Sequence, residues 1–508
     1  MSQVQLSCGV IEGLRRDDGV TEFRGVPYAA APVGALRFRA PQPVSAWQGV
    51  RRADRYPAAA WQEASAMLGE PIGDDCLALN IWVPYGDGPF PVMVWLHGGG
   101  YTSGSPSQLL YHGANLARSQ NVIVVNVGYR LGVWGYGWFR HRIPDADSNL
   151  GLRDQIAALG WVQEHIAAFG GAADQVTLFG ESAGGFSVAT LLAVPSARSL
   201  FHRAVVQSGA ADMVVSPEEA QRVTELVLAA NPALLDDLEH APAAEFVRAQ
   251  RAAMKEPVAR AMSDRVPQYG MPFLPAVDGE LLPEPPLQAI ARGVARDKWL
   301  LAGACRDEYH LFVYAPPYNG GKSMDALREV DDSSLQSRFE RLLPQHHQQA
   351  WQLYSEHVDV DPARSRLDIF SAMESDRLFR VPTRRLLDAH AAAGGQSWGY
   401  LFTWPTTLMG VPLGTPHVVD VPFVFDNTES PLGRLFTGGG PGAAALAQQV
   451  ASVWGGLARG EMPPWPAWQA GHDAPHYFGP DGNGEPLLRT AYEPLWQDAL
   501  PPPTEESS

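Results

Sequence analysis

Cysteine is scarce in this chain, which argues against a scaffold stabilised by disulfide bonds. The 508 residues contain three cysteines, Cys8, Cys76 and Cys305, and this odd number leaves no disulfide framework. The N-terminal residues also lack a basic segment followed by an apolar one, which is the pattern of a secretory signal peptide. From these two absences we expect a protein of the reducing cytoplasm.

Long apolar runs and clusters of positive charge are missing as well. No window of 18 uninterrupted apolar residues occurs, so we do not expect a membrane span. The formal net charge is −17, and no segment is rich in lysine or arginine. Nucleic acids and anionic membranes both require clustered positive charge, so we expect neither as a partner.

The chain does contain short apolar segments separated by helical patterns. Strands are predicted at residues 78–83, 91–96, 122–127, 176–179, 204–206, 299–302 and 398–402. Apolar strands that alternate with helices predict an α/β fold whose mostly parallel sheet is covered on both faces. We expect one domain at residues 1–500, with a helix-rich cap at about 213–395, and a disordered tail at 501–508.

The segment Gly180-Glu181-Ser182-Ala183-Gly184 is the most informative part of the sequence. It matches the pattern G-x-S-x-G and lies between a predicted strand and an apolar helical run at residues 186–194. In that context the pattern predicts a nucleophile elbow, a tight turn that exposes the serine hydroxyl above the sheet. The glycines provide positions without side-chain bulk on both sides of the turn. Ser182 is therefore the candidate nucleophile.

A second glycine-rich segment, His97-Gly98-Gly99-Gly100, follows another predicted strand. Consecutive glycines let the bare backbone approach a bound carbonyl group. A loop of this kind donates N–H groups to the oxyanion formed in acyl transfer, together with the N–H of the residue after the nucleophile. We assign this role to Gly99, Gly100 and Ala183.

A catalytic serine also requires a base and an orienting acid, which follow the serine in the order acid, histidine. Spacing alone does not choose among the 14 histidines. His417 is the best candidate, because it lies on a loop just before an apolar segment. For the acid, Asp307 and Glu308 both follow the strand predicted at 299–302, and the two are nearly even as candidates.

These residues, in this order, resemble the type-B carboxylesterase/cholinesterase family of α/β-hydrolases. The resemblance extends from residue 23 to about residue 468. Residues 23–29 (Phe-Arg-Gly-Val-Pro-Tyr-Ala) and 74–84 (Asp-Asp-Cys-Leu-Ala-Leu-Asn-Ile-Trp-Val-Pro) are similar to two specific markers of the family. The resemblance implies an α/β-hydrolase fold with a helical cap insertion.

Carried over to this sequence, the resemblance implies Ser182 as the nucleophile and His417 as the base. Residues 303–308 (Gly-Ala-Cys-Arg-Asp-Glu) are similar to the family's G-x-x-x-D-E segment, whose glutamate completes the triad. That similarity favours Glu308 over Asp307 as the acid. The implied chemistry requires neither a metal nor an organic cofactor.

The resemblance adds two supporting residues and reveals two departures. Glu181 is similar to a glutamate that tunes the field around the base, and Ser208 resembles a serine near the acid and the base. A turn at the end of a strand would explain Ser208 equally well. Tyr309 replaces the glycine expected after the acid, and Val418 replaces the glycine expected after the base. We expect both replacements to reshape the pocket without removing a catalytic group.

The substrate pocket is predicted from the family positions that fall on Tyr101, Tyr269, Met271, Leu311 and Phe312. These apolar and aromatic side chains predict a pocket for a neutral ester with a small or medium acyl group. The family's cation-binding tryptophan has no convincing counterpart, because Trp61 is misplaced. Hydrolysis of choline esters is therefore not expected.

We accordingly predict a serine carboxylesterase that acts on a small-molecule ester through an acyl-enzyme. An acyltransferase, or a hydrolase specialised for carbamates, lactones or thioesters, would use the same triad. A third hypothesis is a non-catalytic interaction protein, since some members of the family have lost the triad. The presence of Ser182, Glu308 and His417 argues against this third hypothesis.

Overall fold

The computed structural model describes residues 2–65, 67–254, 271–315, 318, 321–361, 364–408, 410–480 and 486–496. Its strands are β1 (Ser2–Leu6), β2 (Gly9–Arg15), β3 (Thr21–Pro27), β4 (Val50–Arg52), β5 (Ala78–Val83), β6 (Phe90–Leu96), β7 (Ile123–Val127), β8 (Gly171–Glu181), β9 (Arg203–Gln207), β10 (Trp299–Cys305), β11 (Gln396–Phe402), β12 (Thr406–Leu408), β13 (Val411–Gly414) and β14 (His476–Phe478). Its helices are α1 (Ala114–Gln120), α2 (Gly132–Tyr136), α3 (Leu150–His165), α4 (Ala183–Leu191), α5 (Pro217–Ala230), α6 (Ala243–Ala253), α7 (Pro286–Ala291), α8 (His310–Tyr314), α9 (Met324–Arg328), α10 (Asp332–Leu342), α11 (His347–His357), α12 (Leu367–Ser375), α13 (Val381–Ala392), α14 (Val421–Val424), α15 (Pro431–Thr437), α16 (Gly440–Arg459) and α17 (Glu493–Trp496). A π-helical turn, Asp376–Arg380, joins α12 to α13.

A central sheet of 12 strands organises the molecule. Its order is β1-β2-β3-β5-β7-β6-β8-β9-β10-β11-β14, with β4 paired to β2. The strands from β7 to β14 in this order are parallel, and those from β1 to β5 are joined in antiparallel fashion. The predicted α/β class with a mostly parallel sheet is confirmed. Each predicted strand coincides with an observed one, although β8 begins at Gly171, earlier than predicted.

Side chains on alternate positions of the inner strands enter different cores, as expected for a sheet buried on both faces. On β6, Val92 and Val94 belong to one apolar cluster, whereas Met93 and Trp95 belong to another. Helices α3 and α4 contribute to the first cluster. Helices α1 and α16 contribute to the second. The continuous apolar character of the strands thus follows from helices that cover both faces.

The stretch at about 213–395 is rich in helices, as predicted, and runs from α5 to α13. It also contains β10, which lies inside the central sheet between β9 and β11. The sheet includes both β1 and β14, and this continuity supports the expected single domain at 1–500, which stays a prediction. The predicted tail at 501–508 lies outside the described residues. Within the described ranges, no helix is long and apolar enough to cross a membrane.

Candidate active site

Ser182 occupies a sharp turn between the central strand β8 and helix α4. The strand ends at Glu181 and the helix begins at Ala183. Ser182 has φ 55° and ψ −126°, a conformation that costs free energy for a residue with a side chain. Gly184 permits the turn, because a Cβ atom there would lie 1.9 Å from the carbonyl oxygen of Leu96. The serine side chain lines a cavity beside this turn.

The glycine-rich loop that follows β6 lies directly against the serine turn. A Cβ atom at Gly98 would stand 3.1 Å from the Cβ atom of Ser182. Gly99 has φ 114°, and a Cβ atom there would lie 2.1 Å from the carbonyl oxygen of Ser103, so glycine is required. Within the described residues, no acceptor bonds to the N–H groups of Gly99 or Gly100. The first N–H of α4 likewise has no partner within its own helix.

Four neighbouring strands of the sheet each end close to a candidate site residue. Strands β6, β8, β9 and β10 are adjacent and parallel, so their carboxyl ends share one edge. Gly99 follows β6, Ser182 follows β8, Ser208 follows β9 and Glu308 follows β10. Neighbouring strands are about 4.8 Å apart, so this edge gathers groups that are distant in sequence.

His417 and Glu308 form a short, buried hydrogen bond. The Nδ1 atom of His417 lies 2.6 Å from the Oε2 atom of Glu308, and because a carboxylate only accepts, Nδ1 carries the hydrogen. The other carboxylate oxygen, Oε1, accepts from the Ser208 hydroxyl at 2.6 Å and from the Cys305 N–H at 2.7 Å. Glu308 is fully buried. These bonds fix the carboxylate, and the carboxylate fixes the imidazole.

Asp307, the alternative acid, has different partners. Its Oδ2 atom accepts from the backbone N–H of Thr415 at 2.8 Å and from Nε of Arg306 at 3.1 Å. Its own N–H donates to the carbonyl oxygen of Thr415 at 2.9 Å. Asp307 thus anchors the loop that leads to His417, while Glu308 contacts the imidazole itself.

The second imidazole nitrogen faces a carboxylate. The Nε2 atom of His417 lies 3.0 Å from Oε1 of Glu181, but neither atom has an aligned hydrogen-bond partner among the described residues. Burial raises the pKa of Glu181 to about 8. Burial lowers the pKa of His417, but the charges of Glu181 and Glu308 outweigh this effect and raise it to about 9. Because the two groups share one short contact, Glu181 and His417 titrate as a pair.

The sequence of this chain is similar to those of known esterases. The sequence model of the Carboxylesterase family matches residues 1–465. The chain belongs to the carboxylesterase family. Para-nitrobenzyl esterase of Bacillus subtilis (strain 168) is 34% identical over 436 residues, which cover 81% of this chain and 81% of that protein. A medium-chain fatty acyl-CoA hydrolase precursor of Anas platyrhynchos is 32% identical over 473 residues, which cover 87% of this chain and 81% of that protein.

The fold agrees with solved structures of carboxylesterases. The structure of a Geobacillus stearothermophilus carboxylesterase at pH 6.2 superposes with a TM-score of 0.80 at 33% sequence identity. The superposition covers 94% of this chain and 96% of that chain. The protein is thus a carboxylic ester hydrolase of the serine type with an α/β-hydrolase fold.

The carboxylesterase cavity beside Ser182 has a volume of about 500 Å³ and two apolar walls. We call the first the Met271 wall; it belongs to one apolar cluster and consists of Phe186, Met213, Met271, Phe312, Leu378 and Phe379. We call the second the Phe436 wall; it belongs to another cluster and consists of Trp95, Leu110, Tyr111, Val418, Val421 and Phe436. Ser182, Glu181 and His417 also line this cavity.

The predicted pocket residues have different outcomes in the structure. Met271, Leu311 and Phe312 line the cavity. Tyr101 does not, and its prediction as a pocket residue is corrected: its fully buried ring packs in the core at 4.7 Å from the ring of Tyr136. The positive φ of 59° at Tyr101 turns the chain just after the glycine loop. The Tyr101 hydroxyl accepts a hydrogen bond from the buried Ser187 hydroxyl and does not face the cavity. Tyr269 lies outside the described residues.

Trp61, which is interpreted from the sequence as misplaced for cation binding, has a structural partner. Its Nε1 atom donates to Oδ1 of Asp74 at 2.8 Å. It lines a crevice of about 10 Å³, separate from the cavity beside Ser182. This crevice has room for no more than a water molecule.

Leu378 and Phe379 are among the cavity residues that the sequence did not predict. Both belong to the π-helical turn Asp376–Arg380, and both line the cavity. The ring of Phe379 lies 4.7 Å from the imidazole of His417, and the ring of Phe312 lies 5.3 Å from it. Turns of this type are frequent at functional sites, but a single apolar pair within a helical pattern gave no signal for one.

Proposed function

We propose that Ser182, His417 and Glu308 are the nucleophile, the base and the orienting acid of an ester hydrolase. The observation that supports this assignment most strongly is the 2.6 Å bond between His417 Nδ1 and Glu308 Oε2. His417 lines the same cavity as the strained Ser182, and Glu308 is buried behind the imidazole. A carboxylate at this nitrogen holds the imidazole in the tautomer whose Nε2 accepts a proton.

The proposed reaction has two steps. The Oγ atom of Ser182 attacks the ester carbonyl carbon while Nε2 of His417 takes the hydroxyl proton. The proton then passes to the alcohol oxygen, which leaves as the C–O bond breaks and an acyl-enzyme remains. Water, activated by the same nitrogen, adds to the acyl carbon, and the acid departs as Ser182 regains its proton. Among the described residues Nε2 of His417 has no aligned hydrogen-bond partner, and catalytic hydrogen bonds of this kind are often completed only once substrate is bound.

The oxyanion formed in both steps is assigned to three backbone N–H groups, those of Gly99, Gly100 and Ala183. The N–H groups of Gly99 and Gly100, which no acceptor in the described part of the chain engages, and the close approach of Gly98 to the serine support this role. Each donor of this kind is worth roughly 3 kcal/mol of transition-state stabilisation. In the same proposal, Ser208 holds the acid through its 2.6 Å bond.

The preferred substrates are proposed to be neutral esters with small or medium acyl groups. A cavity of about 500 Å³ with two apolar walls suits an uncharged ligand of modest size. The name of the Bacillus subtilis relative, para-nitrobenzyl esterase, supports an ester with an aromatic alcohol. We further propose a reducing cytoplasm as the location, which the three free cysteines support.

The test is kcat/KM across p-nitrophenyl esters from acetate to dodecanoate, with Ser182→Ala as the blank. We expect a maximum at short or medium chains, and a loss of roughly 10⁶-fold in kcat in the variant. Equal rates for the protein and its blank on every ester would contradict the proposed triad.

Hydrolysis of thioesters is the second candidate function. The similarity to a fatty acyl-CoA hydrolase precursor favours it, because the same acyl-enzyme forms from a thioester. Measurement of kcat/KM for matched oxygen esters and thioesters of one acyl group would decide between them. Added alcohols or amines that divert the acyl group from water would instead indicate an acyltransferase.

A further inference from the structure

Val418 has a backbone conformation that is unfavourable for its side chain. Its φ is 74°, in the left-handed region, where the Cβ atom crowds the neighbouring carbonyl. Eight described residues other than glycine have positive φ, and Val418 is the β-branched one among them. Branching at Cβ increases this crowding, so glycine would adopt the same conformation with less strain.

Hydrogen bonds on both sides of Val418 hold this conformation in place. The N–H of the preceding residue, His417, donates to the carbonyl oxygen of Glu308 at 3.2 Å. The carbonyl oxygen of Val418 accepts from the N–H of Val421 at 3.1 Å. Upstream, the bonds between Asp307 and Thr415 anchor the same loop. Backbone strain that the surrounding structure holds in place is common where a side chain serves function.

The side chain of Val418 lies at a border of the cavity. It is half-buried, lines the cavity, and packs against both the cluster of the Phe436 wall and the neighbouring cluster that contains Leu311. The Met271 wall lies in a different cluster. A Cβ atom at Gly100 would lie 3.6 Å from Sδ of Met271, so the glycine loop adjoins the Met271 wall.

From this arrangement we propose that Val418 is a specificity-determining residue that limits the bulk of the alcohol part of the ester. The inference rests on the proposed function, in which the ester carbonyl meets the N–H groups of the glycine loop. Because that loop adjoins the Met271 wall, we place the acyl group along this wall. The alcohol part then lies along the Phe436 wall, where the two methyl groups of Val418 reduce the space beside His417. Glycine at this position would remove both the strain and the restriction.

The experiment compares two ratios in the whole protein. The alcohol ratio is kcat/KM for 1-naphthyl acetate divided by that for phenyl acetate. The acyl ratio is kcat/KM for p-nitrophenyl butyrate divided by that for p-nitrophenyl acetate. We expect Val418→Ala to raise the alcohol ratio about 10-fold, while the acyl ratio changes less than about twofold. Val418→Ile should lower the alcohol ratio, and Met271→Ala should change the acyl ratio instead.

Thermal unfolding of Val418→Gly and Val418→Ala tests the strain separately. Glycine is normally the less stable of the two, but here it should have the higher Tm, because alanine keeps a Cβ atom in the left-handed region. A higher Tm for the alanine variant would overturn the strain argument. Suppose that the unsubstituted protein is far more active than Ser182→Ala. An alcohol ratio that is unchanged in both Val418→Ala and Val418→Ile would then overturn the role of Val418 alone. If the unsubstituted protein were no more active than Ser182→Ala on all four esters, the proposed function would be overturned as well.

Discussion

Ser182, Gly99 and Glu308 follow strands of the central sheet, whereas Phe312, Leu378 and Phe379 lie on helical segments outside it. The strand-end groups are held by backbone geometry, which includes a serine at φ 55° and a glycine that no other residue can replace. The helical groups are held by side-chain packing in an apolar cluster.

This contrast separates two kinds of requirement. Reacting groups must be fixed to within a fraction of an ångström, and adjacent hydrogen-bonded strands provide that precision. Groups that select the substrate need only the right volume and polarity, so packed helices suffice. Changes at strand ends should therefore lower kcat for every ester, whereas changes on the helical side should alter which ester is preferred.

After the loss expected for Ser182→Ala, the largest expected effect is at the acid. Glu308→Gln should lower kcat by about 10⁴-fold, because a glutamine side chain no longer holds the imidazole in the tautomer that accepts the serine proton. The matched control is Asp307→Asn, whose amide oxygen can still accept from Thr415; it should lower kcat by less than about 10-fold. Steady-state kinetics on p-nitrophenyl butyrate measures both, and equal losses would mean that Glu308 has no special role.

A smaller effect is expected at the glycine loop. Gly99→Ala places a Cβ atom 2.1 Å from the carbonyl oxygen of Ser103, so the loop must shift. We expect kcat to fall by about 10²- to 10³-fold for all esters alike. Gly160→Ala on α3 is the control, because a Cβ atom there meets nothing within 4 Å. If Gly99→Ala changed the preference among esters and left kcat unchanged, the contrast between strand-end and helical residues would be wrong.

On the helical side, Leu378→Ala should change selectivity. Removal of this buried leucine enlarges the cavity, so kcat/KM for p-nitrophenyl octanoate relative to acetate should rise about 10-fold. The free energy of unfolding should fall by about 3 kcal/mol. Leu435→Ala, at a leucine with 48% exposure, is the control and should change neither quantity. A uniform loss of kcat in the Leu378 variant would instead place Leu378 among the reacting groups.

The smallest effect concerns pH. In the proposed mechanism activity requires neutral His417, so kcat/KM should rise with pH as the imidazole loses its proton. Glu181→Gln removes a negative charge 3.0 Å from Nε2, which lowers the pKa of His417. The acid limb of the pH–rate profile should move to lower pH by about one unit. A limb that stays in place, or moves to higher pH, would show that Glu181 does not control the base.

The parts of the site that follow single strands could be predicted from the sequence. The turn at Ser182 and the glycine loop depend on residues close together in the chain, and each requires glycine at fixed positions. Local sequence patterns did not distinguish Asp307 from Glu308 as the acid, because neighbouring residues on one loop lie equally near the sheet edge. The family resemblance favoured Glu308, and the contact with His417 supports that choice.

The sequence by itself determined the strands, the covered sheet, the turn at Ser182 and the glycine loop, because apolar periodicity and glycine geometry are local properties. The tertiary structure alone decided that Tyr101 packs in the core, that Phe379 lies against His417, and that Glu181 faces Nε2. Each of these contacts depends on where distant helices and loops meet. Their positions are set by packing across the whole molecule, which no short segment encodes.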